Sequence, residues 1–315
     1  MDKLASNGSK AVVTGAAGFI GSHLTHRLLR ENFDSVVGID NLRSGDWSRC
    51  PEGVNRVEVS MNDLMYADWL QLLDGVDVVF HLAAEKYNSS KTSPERLIET
   101  NLLSTERLFR ACAEAEVGRV VFTSSLYAYG LLGLDPMSEL DRPQPSTLYG
   151  ASKLAGEHFL NAIDRDQTLS WNVARLFFIY GPRQFSEGGY KSVINANFER
   201  MISGVAPIIN GDGLQRLDYV YIDDCVDALL ALAIAENDRR VVNVSSGIGR
   251  SILELTTAMQ EIAQNGKDPI FALPDWTHGT CRIGSPHLML KNFGWQATTP
   301  LRSGLFATYQ ALGGG

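Results

Sequence analysis

Tyr149 and Lys153 stand four residues apart, a spacing that puts both side chains on one face of a helix. They follow, by about 25 residues, the pair Ser124-Ser125 that closes the apolar run Val120-Val121-Phe122-Thr123. Tyrosine, lysine and serine together can move a proton at a hydroxyl-bearing carbon. A phenol titrating near pH 10 is a poor base, but a neighbouring cation favours the phenolate. A serine hydroxyl then orients the substrate hydroxyl and shares its proton. A Tyr-x3-Lys pair alone means little, because ordinary composition produces it often in chains of this length. Its position after a strand's carboxyl end gives it weight, since ligands bind there in open α/β sheets. The competing reading is a surface tyrosine and lysine beside an unrelated strand-end serine.

The elements that must position these groups begin at the N-terminus. Ala11-Val12-Val13 leads into Thr14-Gly15-Ala16-Ala17-Gly18-Phe19-Ile20-Gly21, which opens an amphipathic segment to about Arg30. This order of strand, glycine turn and helix starts a dinucleotide-binding sheet. Gly15 supplies the tight turn, Gly18 lets backbone approach a pyrophosphate, and Gly21 lets helix and strand pack closely. The helix N-terminus offers unpaired N–H groups to the phosphates. Asp40 ends the next apolar run, Ser35-Val36-Val37-Gly38-Ile39, where a carboxylate accepts from an adenosine ribose. The same carboxylate repels a 2′-phosphate, so NAD(H) is expected over NADP(H), with Arg43 nearby as a group that could serve a phosphate.

Strand candidates recur at 11–14, 36–40, 56–60, 77–82, 119–124 and 172–176, with helices near 19–30, 94–116 and 148–164. The alternation predicts an α/β fold, a Rossmann-type, doubly wound, mostly parallel seven-stranded sheet. After Pro182 the regularity breaks. One helix (190–203), a turn at Gly211-Asp212-Gly213, an Asp-capped helix from Asp223 and a strand at 241–244 are expected. Residues 1–177 with 218–247 are assigned to the NAD-binding domain, and 178–217 with 248–315 to a smaller C-terminal substrate lobe.

The 315 residues, 44% hydrophobic with net charge −8, describe an ordinary globule able to bury a large core. The acidic balance argues against nucleic acid as a partner. No apolar run reaches membrane-spanning length, and Met1 to Lys10 is too polar for a signal peptide. Cys50, Cys112, Cys225 and Cys281 lack metal-type spacing and suggest reduced thiols in a cytoplasmic protein, with no metal expected.

Taken together, these motifs resemble the extended short-chain dehydrogenases/reductases, in the branch of NAD-dependent nucleotide-sugar epimerases and dehydratases. The matches run in order through His81-Leu82-Ala83-Ala84, Asn101, Tyr129-Gly130, Tyr149-Gly150-Ala151-Ser152-Lys153, Tyr180-Gly181-Pro182-Arg183-Gln184, Tyr219–Asp224 and Gly294-Trp295. The resemblance implies Ser125, Tyr149 and Lys153 as the catalytic set and Asp40 and Asn41 on the adenosine ribose. It further implies Gly15, Gly18, Phe19, Ile20, Gly21, Ser60, Met61, Leu82, Ala83, Ala84, Lys86, Asn101, Thr123, Tyr149, Lys153 and Phe177 around NAD. His81 is usually structural in that family and is left out of the catalytic set.

Departures from the family pattern narrow the reaction. Dehydrating members carry an Asp-Glu pair after the catalytic hydroxyl residue, and decarboxylating members carry the glutamate; here these positions are Leu126 and Tyr127. Neither can act as a carboxylate, which leaves 4-epimerisation of a nucleoside-diphosphate sugar through a transient 4-keto intermediate. Alternatives are a decarboxylase or dehydratase, a 4-keto-sugar reductase, and an NAD(H)-binding sensor without turnover. The family's substrate-site Asn is Phe178, and Ser60 replaces an adenine-facing aspartate. Its two diphosphate-clamping arginines are replaced by Leu217 and by Thr277-His278-Gly279-Thr280. Arg216 and Arg282 are candidate substitutes, with Ser125, Phe178, Arg183 and Tyr219 completing the expected substrate contacts. Apolar residues around more than one face of 94–116 and 148–164 predict a homodimer with two-fold symmetry.

Overall fold

β-branched runs that are apolar on both faces can only be satisfied by helices packed on each side of a sheet. The computed structural model describes residues 8–31, 33–130, 136–163, 169–184 and 191–314. In chain order the strands are β1 (Lys10–Thr14), β2 (Ser35–Asp40), β3 (Val54–Glu58), β4 (Val78–His81), β5 (Arg119–Ser125), β6 (Trp171–Leu176), β7 (Phe178–Tyr180), β8 (Ile208–Asn210), β9 (Arg216–Tyr221), β10 (Arg240–Val244), β11 (Gly249–Ser251), β12 (Ile270–Ala272) and β13 (Cys281–Arg282). The helices are α1 (Phe19–Arg30), α2 (Tyr66–Leu72), α3 (Ser89–Thr92), α4 (Pro94–Ile98), α5 (Thr105–Glu114), α6 (Leu148–Ile163), α7 (Val193–Ile202), α8 (Ile222–Ile234), α9 (Ile252–Ala263), α10 (His287–Phe293) and α11 (Leu301–Ala311).

The main sheet has seven strands in the order β10-β6-β5-β4-β1-β2-β3, and every neighbouring pair is parallel. The strand order reverses between β1 and β4, so the ligand crevice lies at the carboxyl ends of those strands. Alternation along β1 builds one core on each face. Ala11 and Val13 pack with Leu24 and Leu28 of α1 and Val226 and Leu229 of α8. Val12 packs on the other face with Trp69 of α2, Leu108 and Phe109 of α5, and Leu160 of α6. A third core, with Phe198, Ile209, Leu217, Leu255, Met259 and Leu305, joins α7, α9 and α11 to the smaller sheet of β7, β9, β11 and β13. Among the described residues no helix is long and apolar enough to cross a membrane.

Several sequence boundaries shift for physical reasons. The third strand occupies 54–58 rather than 56–60, because its pairing with β2 ends at Asp40 opposite Glu58. The segment 94–116 is continuous but changes winding, with a π-helical turn at Glu99–Ser104 between α4 and α5. Asp223 does not cap α8. The cap is Tyr221, Asp223 lies in the first turn, and Asp224 instead accepts from the N–H groups of Thr298 and Thr299. The helix expected at 190–203 runs Val193–Ile202 behind a Ser192 cap, and residues 164 and 190 lie outside the described residues.

Candidate active site

The turn after β1 is built to admit a dinucleotide. Gly15 has φ +72°, and a Cβ there would meet the Ala83 backbone N at 2.9 Å. That contact exists because the chain leaving β4 crosses the turn, with Leu82 and Ala83 N–H groups donating to the Thr14 carbonyl and hydroxyl. A Cβ on Gly21 would lie 2.1 Å from the Gly15 carbonyl, so α1 sits against the turn as only glycine permits. Gly18 caps α1 with no side-chain hydrogen bond, and no acidic residue occupies the first turn. The N–H groups at Phe19 and Ile20 are thus left for an anion.

Asp40, at the end of β2, is 9% exposed and accepts from the N–H groups of Ala17 (3.0 Å) and Leu42 (2.8 Å). Burial raises its carboxyl pKa, and these donors oppose the shift. Asn41 is exposed beside it, and Lys86, also exposed, brings an ammonium whose charge meets Asp40 and Glu85. Met61 is buried past the end of β3, next to Ser60, whose hydroxyl accepts from Asn62 N. Phe177 is buried between β6 and β7. An uncapped helix end, a glycine cradle and a carboxylate one strand away fit NAD.

At the carboxyl end of β5, the Ser125 hydroxyl hydrogen-bonds the Tyr149 phenol. Tyr149 and Lys153 share the inward face of α6, whose start is fixed by Tyr149 N–H donating to Ser90 Oγ at 3.0 Å. Lys153 is 4% exposed, and its Nζ donates to the Thr123 carbonyl at 2.8 Å. Burial pushes the Tyr149 phenol up to about 12, against the lowering effect of Ser125. Burial also pulls Lys153 down to about 7, while the Glu157 carboxylate pulls it back up. Glu157 is itself pinned, accepting from Ser124 Oγ at 2.5 Å and from both Nε and Nη2 of Arg175 at 2.9 and 2.6 Å.

Two other expected residues hold the frame. Asn101, in the π-helical turn, exchanges hydrogen bonds with Glu85 N and O and donates to Ser152 Oγ of α6. His81 is 1% exposed, lies between the hydroxyls of Thr14 (2.7 Å) and Thr105 (3.0 Å), and is held neutral by burial. No described residue brings a carboxylate into hydrogen bonding with Ser125 or Tyr149.

Beside Tyr149 lies an aromatic cluster that sequence reasoning missed. Tyr127 meets Tyr149 edge-on at 5.6 Å, and Tyr87, Tyr127 and Trp276 form a triangle with centroid separations of 5.1, 5.3 and 5.5 Å. The Arg282 guanidinium lies over Trp276 (5.0 Å) and Tyr127 (5.8 Å). Phe178 is half-buried, and Tyr219 is buried against it within the lobe's core. The other two expected arginines stand apart. Strand alternation turns Arg216 away from Leu217 and Tyr219 to an exposed position, where it donates to the Gly249 carbonyl. Arg183, at φ +62°, turns outward to the Arg49 carbonyl and His23 of α1.

Residues 11–245 match the NAD dependent epimerase/dehydratase family. The chain is 33% identical to a UDP-glucose 4-epimerase of Mycolicibacterium smegmatis, over 96% of this chain and 97% of that protein. It superposes on a UDP-glucose 4-epimerase of Thermotoga maritima, solved with UDP-glucose, with a TM-score of 0.90 at 31% identity, covering 96% and 98% of the two chains. The UDP-glucose 4-epimerase of Thermus thermophilus, solved with NAD, gives 0.85 at 30% identity over 97% and 99%. With its glycine cradle, its ribose-facing carboxylate and its serine, tyrosine and lysine at one crevice, this chain belongs to the NAD dependent epimerase/dehydratase family.

Proposed function

We propose that the protein is an NAD-dependent 4-epimerase of a nucleoside-diphosphate sugar. The observation that carries this reading is the Ser125–Tyr149–Lys153 set with Leu126 and Tyr127, not carboxylates, following Ser125. Epimerisation asks for a reversible proton transfer at one hydroxyl, which these side chains can perform. Eliminations ask for a carboxyl acid or base at 126 or 127, and those positions have none. NAD, when bound, accepts the C4 hydride, returns it, and adds positive charge that favours the Tyr149 phenolate.

In the forward step Tyr149 removes the C4 hydroxyl proton as the C4 hydride departs, leaving a 4-keto sugar. Ser125 donates to the same oxygen and holds it in line. Lys153, with its charge sustained by Glu157, lowers the cost of the phenolate. After the sugar turns its other face, Tyr149 returns the proton to the oxygen as hydride re-enters on the opposite side. Redox is balanced over the cycle, so no cofactor is consumed.

Ser125, Tyr149 and Lys153 are assigned to catalysis, and the turn at 15–21, Asp40, Asn41 and Lys86 to NAD. We also propose a cytoplasmic homodimer. In the isolated chain Leu97, Leu108, Phe109, Cys112 and Leu160 are already buried in its own core, but Ile98 and Leu103 are 40% and 59% exposed on the α4–α5 helix. The four cysteines are unpaired, in keeping with a reducing compartment.

The test is a panel of UDP-sugars incubated with the NAD-loaded protein and followed by NMR and mass spectrometry. The expected product is the C4 epimer with unchanged mass. Stoichiometric NADH consumption would instead assign a reductase, CO₂ release a decarboxylase, and bound NAD without any product a sensor.

A further inference from the structure

β13 runs parallel to β9 with Arg282 in register with Leu217. Register partners on neighbouring strands project to the same side of a sheet. Leu217, where the resembling family carries a clamping arginine, is buried and apolar, and the cation occupies the next strand instead.

Arg282 is 5% exposed, and its Nε is buried with no acceptor. Among the described residues its guanidinium makes no hydrogen bond and no ion pair; its contacts are the faces of Trp276 and Tyr127. Burial pulls its pKa down, with no carboxylate to offset the effect. A buried guanidinium without acceptors is costly, and aromatic faces offset only part of that cost. The fork geometry of its N–H groups matches an oxyanion presenting two oxygens. Tyr127, one of its two walls, is also the ring that touches Tyr149, so such an anion would belong to the molecule whose hydroxyl Tyr149 addresses.

We propose that Arg282 binds an oxyanion of the substrate, taking from β13 the role that Leu217 leaves vacant on β9, with Tyr127 and Trp276 as its walls. This rests on the nucleotide-sugar reading. The oxyanion has two chemical sources: the diphosphate, or a carboxylate at C6 of the sugar.

The experiment measures binding of UDP, UDP-glucose and UDP-glucuronate to the NAD-loaded protein by calorimetry, for wild type, Arg282→Met and the double variant Leu217→Arg/Arg282→Leu. Loss of about 10- to 100-fold in affinity for all three ligands in Arg282→Met assigns the diphosphate. Loss confined to UDP-glucuronate assigns the carboxylate. Recovery in the double variant supports the exchange between register partners. Without ligand, Arg282→Met should melt at or above the wild-type temperature, because an unpartnered buried charge is removed. A marked fall would reveal a protein partner and overturn the proposal. Unchanged affinity for all three ligands in Arg282→Met, with turnover of a nucleotide sugar intact, overturns the role of Arg282 alone. A wild-type protein that binds none of the three ligands overturns both readings.

Discussion

Lys153 and Glu157 stand one turn apart on the buried face of α6, and Glu157 supplies the negative charge that the Lys153 ammonium feels. Glu157 is shared: Arg175 and Ser124 hold the same carboxylate, so the lysine receives only part of its charge. Glu157→Gln removes that charge, so Lys153 should lose its proton more readily. The alkaline limb of the pH–rate profile should move to lower pH. Because Arg175 is then buried without its partner, stability should fall by on the order of 3 kcal/mol. A profile that keeps its shape while stability falls would make Glu157 a structural residue only.

Lys153 also sets a pH dependence of stability. Its folded pKa is about 7 against an ordinary 10.5. Below pH 7 both folded and unfolded chains hold the proton. Between about 7 and 10.5 the unfolded chain binds more protons, so this group makes stability rise with pH through that window and level off above it. Lys153→Met should abolish that rise. Denaturant titrations at several pH values check it, and a constant offset between the two proteins would contradict the shift.

Tyr149→Phe removes the phenolic proton carrier while keeping the ring that meets Tyr127. Turnover should drop by roughly 10²–10⁴, the usual share of a positioned acid–base, with substrate affinity little changed. Single-turnover measurement of hydride transfer isolates this step, and near-wild-type rates would remove Tyr149 from the chemistry.

Gly21→Ala places a methyl group 2.1 Å from the Gly15 carbonyl and 2.8 Å from Ala16 Cα, both backbone. The turn must open or α1 must move away, with an expected cost on the order of 1–3 kcal/mol and weakened NAD binding. Gly266→Ala, where nothing lies within 4 Å, should leave both unchanged. Thermal melts with and without NAD compare the two.

If α4 and α5 meet a second copy, light scattering should give about twice the chain mass of 34.6 kDa, and Leu103→Glu should shift the species towards the monomer. A wild-type monomer at micromolar concentration contradicts the assembly.

The parts legible in the sequence are those whose constraints are local. Gly15, Gly18 and Gly21 lie within one turn of chain, and Asp40 closes the next strand, so backbone sterics and strand length reveal them together. Tyr149 and Lys153 share a helix face by spacing alone. What stayed hidden depends on pairing between distant segments. Nothing near Arg282 announces that it lies in register with Leu217. Tyr87, Tyr127 and Trp276 come from three separate loops and meet only after the lobe folds back. Glu157 was within reach, since the same four-residue step that links Tyr149 to Lys153 leads on to it. The capping role expected of Asp223 failed because Asp224 is drawn to the chain after Trp295, a contact no local pattern encodes.

The π-helical turn at Glu99–Ser104 has a consequence for how this chain tolerates insertion and deletion. Surface loops gain or lose residues at small entropic cost. This helix has no such freedom, although it is a regular element. Removing one residue between 99 and 104 would let the segment relax to ordinary winding, turning everything downstream by about 100°. Leu108, Phe109 and Cys112 would leave the core, and Asn101 would lose its grip on Glu85 and Ser152. The number of residues between Pro94 and Thr105 is therefore fixed as strictly as the identity of any side chain in the crevice.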